Sequence, residues 1–185
     1  VEIVSKNLDM EFKLYLPNML CTRLEALNND DSKDKIVSRK IIKAFVSFGG
    51  SIEEYSNLII TNILRFVQPN GGSYELRKTA IEALGQLTTS INLTDMSSSI
   101  IHPFLVLLKS KNPEDFQLRD SIMNSLCALI VQMKSEYFIF LPIVDNTLSE
   151  IEFSSHAYTK LVHQLIKNEN VSFTLPSDYK PEPAY

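Results

Sequence analysis

Few residues in this chain are of types that do chemistry, and their spacing argues against most uses of them. There are three histidines, His102, His156 and His163. His156 and His163 stand seven apart and share one helix face, so a zinc pair is the chemistry to test. Helical metal ligands are normally three or four apart, and no third or fourth ligand lies nearby, so surface or interface histidines are expected and no metal. His102, ahead of Pro103, marks a helix entry. Asp30-Asp31-Ser32-Lys33-Asp34 opens like a calcium loop, but Lys35 and Ile41 occupy the positions where that loop needs glycine and glutamate. Arg119-Asp120 with Asn124 has the look of a phosphotransfer loop, yet the preceding histidine is missing and the Asp-to-Asn spacing is wrong. Neither Gly49-Gly50 nor Gly71-Gly72 extends into a phosphate-cradling loop. Cys21 and Cys127 sit in apolar surroundings without a CxxC pair, which suits a reducing compartment, and Cys127 is expected to be buried. Ser97-Ser98-Ser99 offers either a phosphorylation target or hydroxyl capping of a helix. No catalytic residue and no cofactor site emerge.

The chain around these residues has 185 positions, 18 basic against 22 acidic residues, and a net charge of −4. A hydrophobic share of 44% fits a folded domain and is too high for disorder. Five glycines and no tryptophan disfavour a β-sandwich or a nucleotide-binding α/β domain. The acidity argues against a nucleic-acid binder, which should carry a basic face. No apolar run reaches the ~20 residues that cross a bilayer, and no basic amphipathic face suits a membrane surface. The chain opens at Val1 within an apolar pattern, and a segment of a longer protein is expected.

Helical periodicity covers nearly all of it. Ile36, Val37, Ile41, Ile42, Ala44, Phe45 and Phe48 follow the three-and-four spacing of one helix face. Asp34 is the expected N-cap of that helix, and Ser51 with Glu54 the expected capping box of the next. Helices are predicted at 11–27, 34–48, 52–67, 74–90, 95–109, 114–134, 136–150 and 154–169, with Val1–Leu8 ending a preceding one. Residues 170–185, which include Pro176, Pro181 and Pro183, are predicted to form a non-helical linker or strap.

Self-similarity decides the fold. Ile42 to Phe45, Ile81 to Leu84, Met123 to Leu126 and Val162 to Leu165 present one pattern at intervals of 39, 42 and 39 residues. A basic residue (Arg39, Lys78, Arg119) precedes the first three by one turn. Pro17, Pro103 and Pro142 recur near the starts of the alternate helices. Two helices per ~40 residues is the HEAT signature, so the expected fold is an all-α solenoid of about four helix-turn-helix units, near 1–27, 34–67, 74–109 and 114–150, with a next unit starting at 154–169. One such pair cannot cover its own apolar face, and neighbours must stack. Ala44, Ala83, Gly85 and Ser125 are small enough for close helix approach. Tyr137-Phe138-Ile139-Phe140-Leu141, the most apolar window, is expected in the core of the last full unit, with part of it facing a partner as the alternative.

Several runs carry a closer resemblance: Ser99-Ile100-Ile101-His102-Pro103 with Leu105, Tyr137 to Val144, and His156 to Lys167, together with Lys35 to Lys40, Phe48-Gly49 and Glu54-Tyr55. From Leu14 to Lys167 the chain resembles the HEAT-repeat region of the target-of-rapamycin kinases, large serine/threonine kinases of the phosphatidylinositol-3-kinase-related family. The loop Lys111–Gln117 is longer than in animal members, which points to a fungal or otherwise divergent member. The resemblance implies a non-catalytic scaffold segment, because the kinase and rapamycin-binding domains of the family lie far C-terminal. It implies two protein partners, a WD40-containing adaptor and a second copy of the kinase. It also implies a cytoplasmic setting, peripheral to lysosomal or vacuolar membranes through the complex, in nutrient and growth signalling. From the residues alone, Lys40, Lys43, Glu53, Lys78 and Glu82 are the polar contact candidates, and Tyr74 and Tyr158 the aromatic hot spots. Another HEAT scaffold, such as a nuclear transport receptor or a phosphatase scaffold subunit, is the alternative; a closed helical-bundle enzyme is a further one.

Overall fold

The computed structural model describes residues 10–27, 35–69 and 71–176, and among these every regular element is helical. The helices are α1 (Met10–Leu27), α2 (Lys35–Phe48), α3 (Ser56–Leu64), α4 (Tyr74–Leu87), α5 (Ser97–Leu108), α6 (Pro113–Phe116), α7 (Arg119–Met133), α8 (Leu141–Glu150) and α9 (His156–Ile166). Short 3-10 segments at Gly49–Tyr55, Arg65–Val67, Thr94–Met96 and Lys134–Ile139 enter or leave several of them. α2, α4, α7 and α9 lie side by side as one layer. α1 contacts α3, and α5 contacts α8, in a second layer. This is an all-α solenoid of HEAT type.

The apolar stripes explain the packing. Ile42, Phe45, Ile81, Leu84, Met123, Leu126, Val162 and Leu165 are all buried in one continuous core. Two of the recurring prolines fall inside helices and are buried, Pro17 in α1 and Pro103 in α5. Each gives up a backbone donor in the helix interior. Pro142 is exposed in the first turn of α8, where the missing N–H costs nothing.

Local structure departs from the sequence expectations in several places. Ser51 and Glu54 form no capping box. Both are exposed on the 3-10 segment Gly49–Tyr55, which starts at a left-handed Gly49 (φ +55°) and buries Ile52. The helix expected at 114–134 is two helices, because Asn112 Oδ1 accepts from Glu114 N at 3.1 Å and starts the one-turn α6. The chain turns at Gln117-Leu118 before α7 begins. The span 136–150 is likewise a 3-10 segment followed by α8, and the axis bends by 100° between Arg119–Ile139 and Leu141–Glu150. Ser155, with its Oγ 3.4 Å from Tyr158 N, caps α9. Over 170–176 there is no helix, and half-buried Val171, Phe173 and Leu175 alternate with exposed residues. The expected Asp34 cap, the 30–34 loop, the Val1–Leu8 helix and the end of the tail lie outside the described residues.

Units meet through joints of different construction. Between α4 and α7, Ser125 Oγ donates to Ile81 O at 2.8 Å. Gly85 lies so close to α7 that a Cβ there would sit 3.0 Å from Ser125 Cα. At the far end Gln132 Nε2 donates to Thr88 O and Ile91 O, each at 2.6 Å, while its Oε1 accepts from Leu93 N at 2.8 Å. At the near end Arg77 Nη1 donates to Asp115 Oδ1 and, at 3.3 Å, to Pro69 O. Its Nη2 meets Glu114 Oε2 at 3.0 Å. Between α2 and α4 there is a lighter tie, from Arg39 to Thr79 Oγ1 at 3.2 Å and to Glu75 at 3.6 Å.

Candidate protein-interaction surface

The candidate surface grows from the turn between α7 and α8. α7 ends where Lys134 takes a left-handed φ of 52°, a value that side-chain-bearing residues rarely adopt. The following 3-10 segment is anchored at one residue, Tyr137, which is fully buried. Its ring meets that of Tyr158 edge to face, with centroids 6.4 Å apart, and the two hydroxyl oxygens are 3.0 Å apart. Tyr158 donates its only hydroxyl proton to Asp145 Oδ1 at 2.7 Å, so Tyr137 donates to Tyr158. Burial pushes both phenol pKa values well above the usual range.

Turning Tyr137 inward sends its neighbours outward. Ile139 is 79% exposed and Phe138 40%, and Ile143, in the first turn of α8, is 52% exposed. This corrects the expectation that the apolar window from Tyr137 to Leu141 is core: only Tyr137 is buried, while Phe140 and Leu141 are half-buried. The physical reason is the 3-10 turn, which spreads successive residues about 120° apart and keeps them off one face. At the opposite end of α8, Lys109 Nζ holds Glu150 Oε2 at 2.7 Å and ties the end of α5 to the end of α8. That contact keeps the Glu150 carboxyl below its ordinary pKa.

The other residues proposed from sequence have mixed placements. Lys40, Lys43 and Glu53 are exposed. Lys78 and Glu82 face each other at 3.9 Å on α4, and burial holds the Glu82 carboxyl above its usual pKa against the pull of Lys78. Tyr74 is half-buried against the core. Tyr158 is no hot spot, being 4% exposed and engaged with Tyr137 and Asp145. Of the three serines, Ser97 is buried and Ser98 and Ser99 are exposed. The repeating basic position has a joint role at Arg119, whose guanidinium lies over Phe116 and Phe153, 4.5 and 5.7 Å from the ring centroids. Its Nη2 also donates to Leu108 O at 3.3 Å.

Among the described residues, no group of three or more His, Cys, Asp or Glu is placed to hold a metal, and His102, His156 and His163 are all exposed. Both cysteines are buried, and burial pushes their thiols up to about 11 for Cys21 and about 12 for Cys127. Neither thiol is poised as a nucleophile. No described helix is by itself long and apolar enough to cross a membrane. Sequence reasoning missed the exposure of Phe138 and Ile139 and the buried Arg77–Asp115 pair. The one available signal for the pair was an arginine and an aspartate 38 positions apart in a chain of ~40-residue units.

No family model matches the chain. It is similar to the serine/threonine-protein kinase tor1 of Schizosaccharomyces pombe, 36% identical over 100% of this chain and 8% of that protein. The serine/threonine-protein kinase TOR2 of Saccharomyces cerevisiae is also 36% identical, over 91% of this chain and 7% of its own length. The serine/threonine-protein kinase mTor of Drosophila melanogaster is 30% identical over 89% and 6%. The chain thus spans less than a tenth of the length of the curated relatives it matches. The chain, a helical-repeat stack, is homologous along its length to one small segment of the target-of-rapamycin serine/threonine-protein kinases.

Proposed function

We propose that this chain is a non-catalytic scaffold segment of a target-of-rapamycin-like serine/threonine kinase, and that it works by geometry. It spaces other parts of the kinase and offers helix surfaces to protein partners during assembly. The partners are a WD40-containing adaptor and a second copy of the kinase. The setting is cytoplasmic, at lysosomal or vacuolar membranes through the complex, in nutrient and growth signalling. The observation that carries this reading is the exposed trio Phe138, Ile139 and Ile143, held on a segment fixed by a buried tyrosine. Large apolar side chains on a preorganised turn are what a protein partner buries at low entropic cost.

The test uses the full-length kinase carrying Ile139→Asp and Ile143→Asp, purified with a differently tagged second copy. Exposed positions of this kind change folding stability by less than about 0.5 kcal/mol, so the variant should fold and phosphorylate a generic peptide as before. Its recovery of the adaptor or of the second copy should fall at least about tenfold, which corresponds to about 1.4 kcal/mol. Undiminished recovery of both would overturn the assignment of this surface.

A further inference from the structure

We propose that the Arg77–Asp115 pair sets the angle between the α4 unit and the α7 unit, as one of the two end pins of a joint that Ser125 also fastens at its middle. Arg77 is the largest fully buried side chain described, 2% exposed, and Asp115 is 1% exposed. The arginine gathers three elements: the loop after α3 through Pro69 O, its own helix α4, and α6 through Glu114 and Asp115. Gln132 supplies the first pin at the opposite end, through its bonds to Thr88, Ile91 and Leu93. The Ser125 bond to Ile81 O lies at mid-joint, close to the pivot, and has little leverage over the angle, so the two end pins fix the line of α7 on α4.

The pair is poorly suited to a purely stabilising role. Among the described residues, Arg77 Nε and Asp115 Oδ2 have no hydrogen-bond partner, so the desolvation of both charges is only partly offset. Apolar residues of similar volume would hold the joint as firmly but would tolerate a range of crossing angles, because packed helix ridges allow about ±15–20° of scatter. A buried charge pair is satisfied in one arrangement only. The angle at this joint enters the curvature of the whole stack, and with it the spacing of whatever the stack carries.

The experiment compares the 185-residue chain with Arg77→Met, Asp115→Leu and the double variant, by thermal melting and by spin-label distance distributions. One label pair, at Glu75 and Asp120, spans the arginine end of the joint; the other, at Thr89 and Ser135, spans the glutamine end. All four positions are exposed. Arg77→Met should melt about 10 °C lower, because it strands the buried Asp115, and Asp115→Leu should melt lower by less, because Glu114 still meets Arg77. The double variant should regain most of that loss. Its distance distribution should broaden or split at the arginine end and stay narrow at the glutamine end. Narrow distributions at both ends would overturn the proposal and make the pair a tolerated contact with no say in the angle. So would a double variant that fails to fold, or single variants that melt like the parent.

Discussion

The α4–α7 joint and the α7–α9 joint share a helix and solve the same problem with different materials. Along α4–α7, polar fasteners recur at three heights: Arg77 with Asp115, Ser125 with the Ile81 carbonyl, and Gln132 with the loop at 88–93. α9 leans on α7 without an interhelical hydrogen bond of that sort among the described residues. The ties around it are aromatic, Tyr158 to Tyr137 on one side and Arg119 over Phe153 on the other. Directional bonds to backbone groups fix a register, whereas ring contacts tolerate sliding and tilt. The contrast teaches that repeats of one sequence pattern need not be mechanically equal.

Five predictions would break or sharpen this contrast. The largest effect is expected for Gln132→Ala, which leaves two carbonyls and the amide of buried Leu93 without their partner. A loss of about 3 kcal/mol in urea unfolding is expected, with faster hydrogen exchange in 88–93. An unchanged midpoint would mean that apolar packing alone holds the polar joint. Next comes Gly85→Ala. Its Cβ would meet Ser125 Oγ at 2.7 Å, so α7 must shift. The overpacking cost exceeds the ~1 kcal/mol that alanine gains in helix propensity, for a net loss of about 1–2 kcal/mol.

At the aromatic joint, Tyr158→Phe should cost about 1–2 kcal/mol: Asp145 is exposed and can turn to water, but the buried Tyr137 hydroxyl loses its acceptor. The same joint should be the first to yield to alkali. Tyr137, Tyr158 and Cys127 hold their protons more tightly when folded than when unfolded. Their contribution is intact below the ordinary values, about 9 for the thiol and 10 for the phenols, and is lost as pH rises from there towards the folded ones. Hydrogen exchange between pH 9 and 11 should therefore show α9 loosening from α7 before α4 does. Simultaneous loosening would erase the distinction. The smallest effect is expected for Arg39→Met at the lighter α2–α4 tie. Its 3.6 Å pair with Glu75 is half in solvent, and less than about 0.5 kcal/mol should be lost in the same urea titration.

The stack was legible in the sequence because repetition is a property of spacing. Ile42, Ile81, Met123 and Val162 sit on the same stripe whatever the loops do, and all four are buried. The break between α6 and α7 was not legible, since Gln117-Leu118 contains neither glycine nor proline. Nor was the arginine pin. Counting by type placed a lysine, Lys78, at the repeating basic position, but helix rotation buries its neighbour Arg77. The carboxylate that receives it, Asp115, lies in the stretch expected to open one long helix at 114–134. The candidate surface was misread for a related reason: mean hydropathy marked residues 137–141 as core, while a 3-10 turn distributes those side chains around its axis. Tyr158 fails in the opposite sense, because an aromatic among polar neighbours looks exposed until Tyr137 is seen to be its partner.

The two sequestered thiols have a practical consequence. Cys21 belongs to the first helix of the described stack and Cys127 to the helix shared by the two contrasted joints, and neither is accessible in the closed form. An alkylating reagent can therefore react only during moments when the surrounding packing parts, and each sulfur becomes a stopwatch for its own neighbourhood. Comparing the two labelling rates would reveal how often the first helix and the shared helix each breathe, without a probe having to be added.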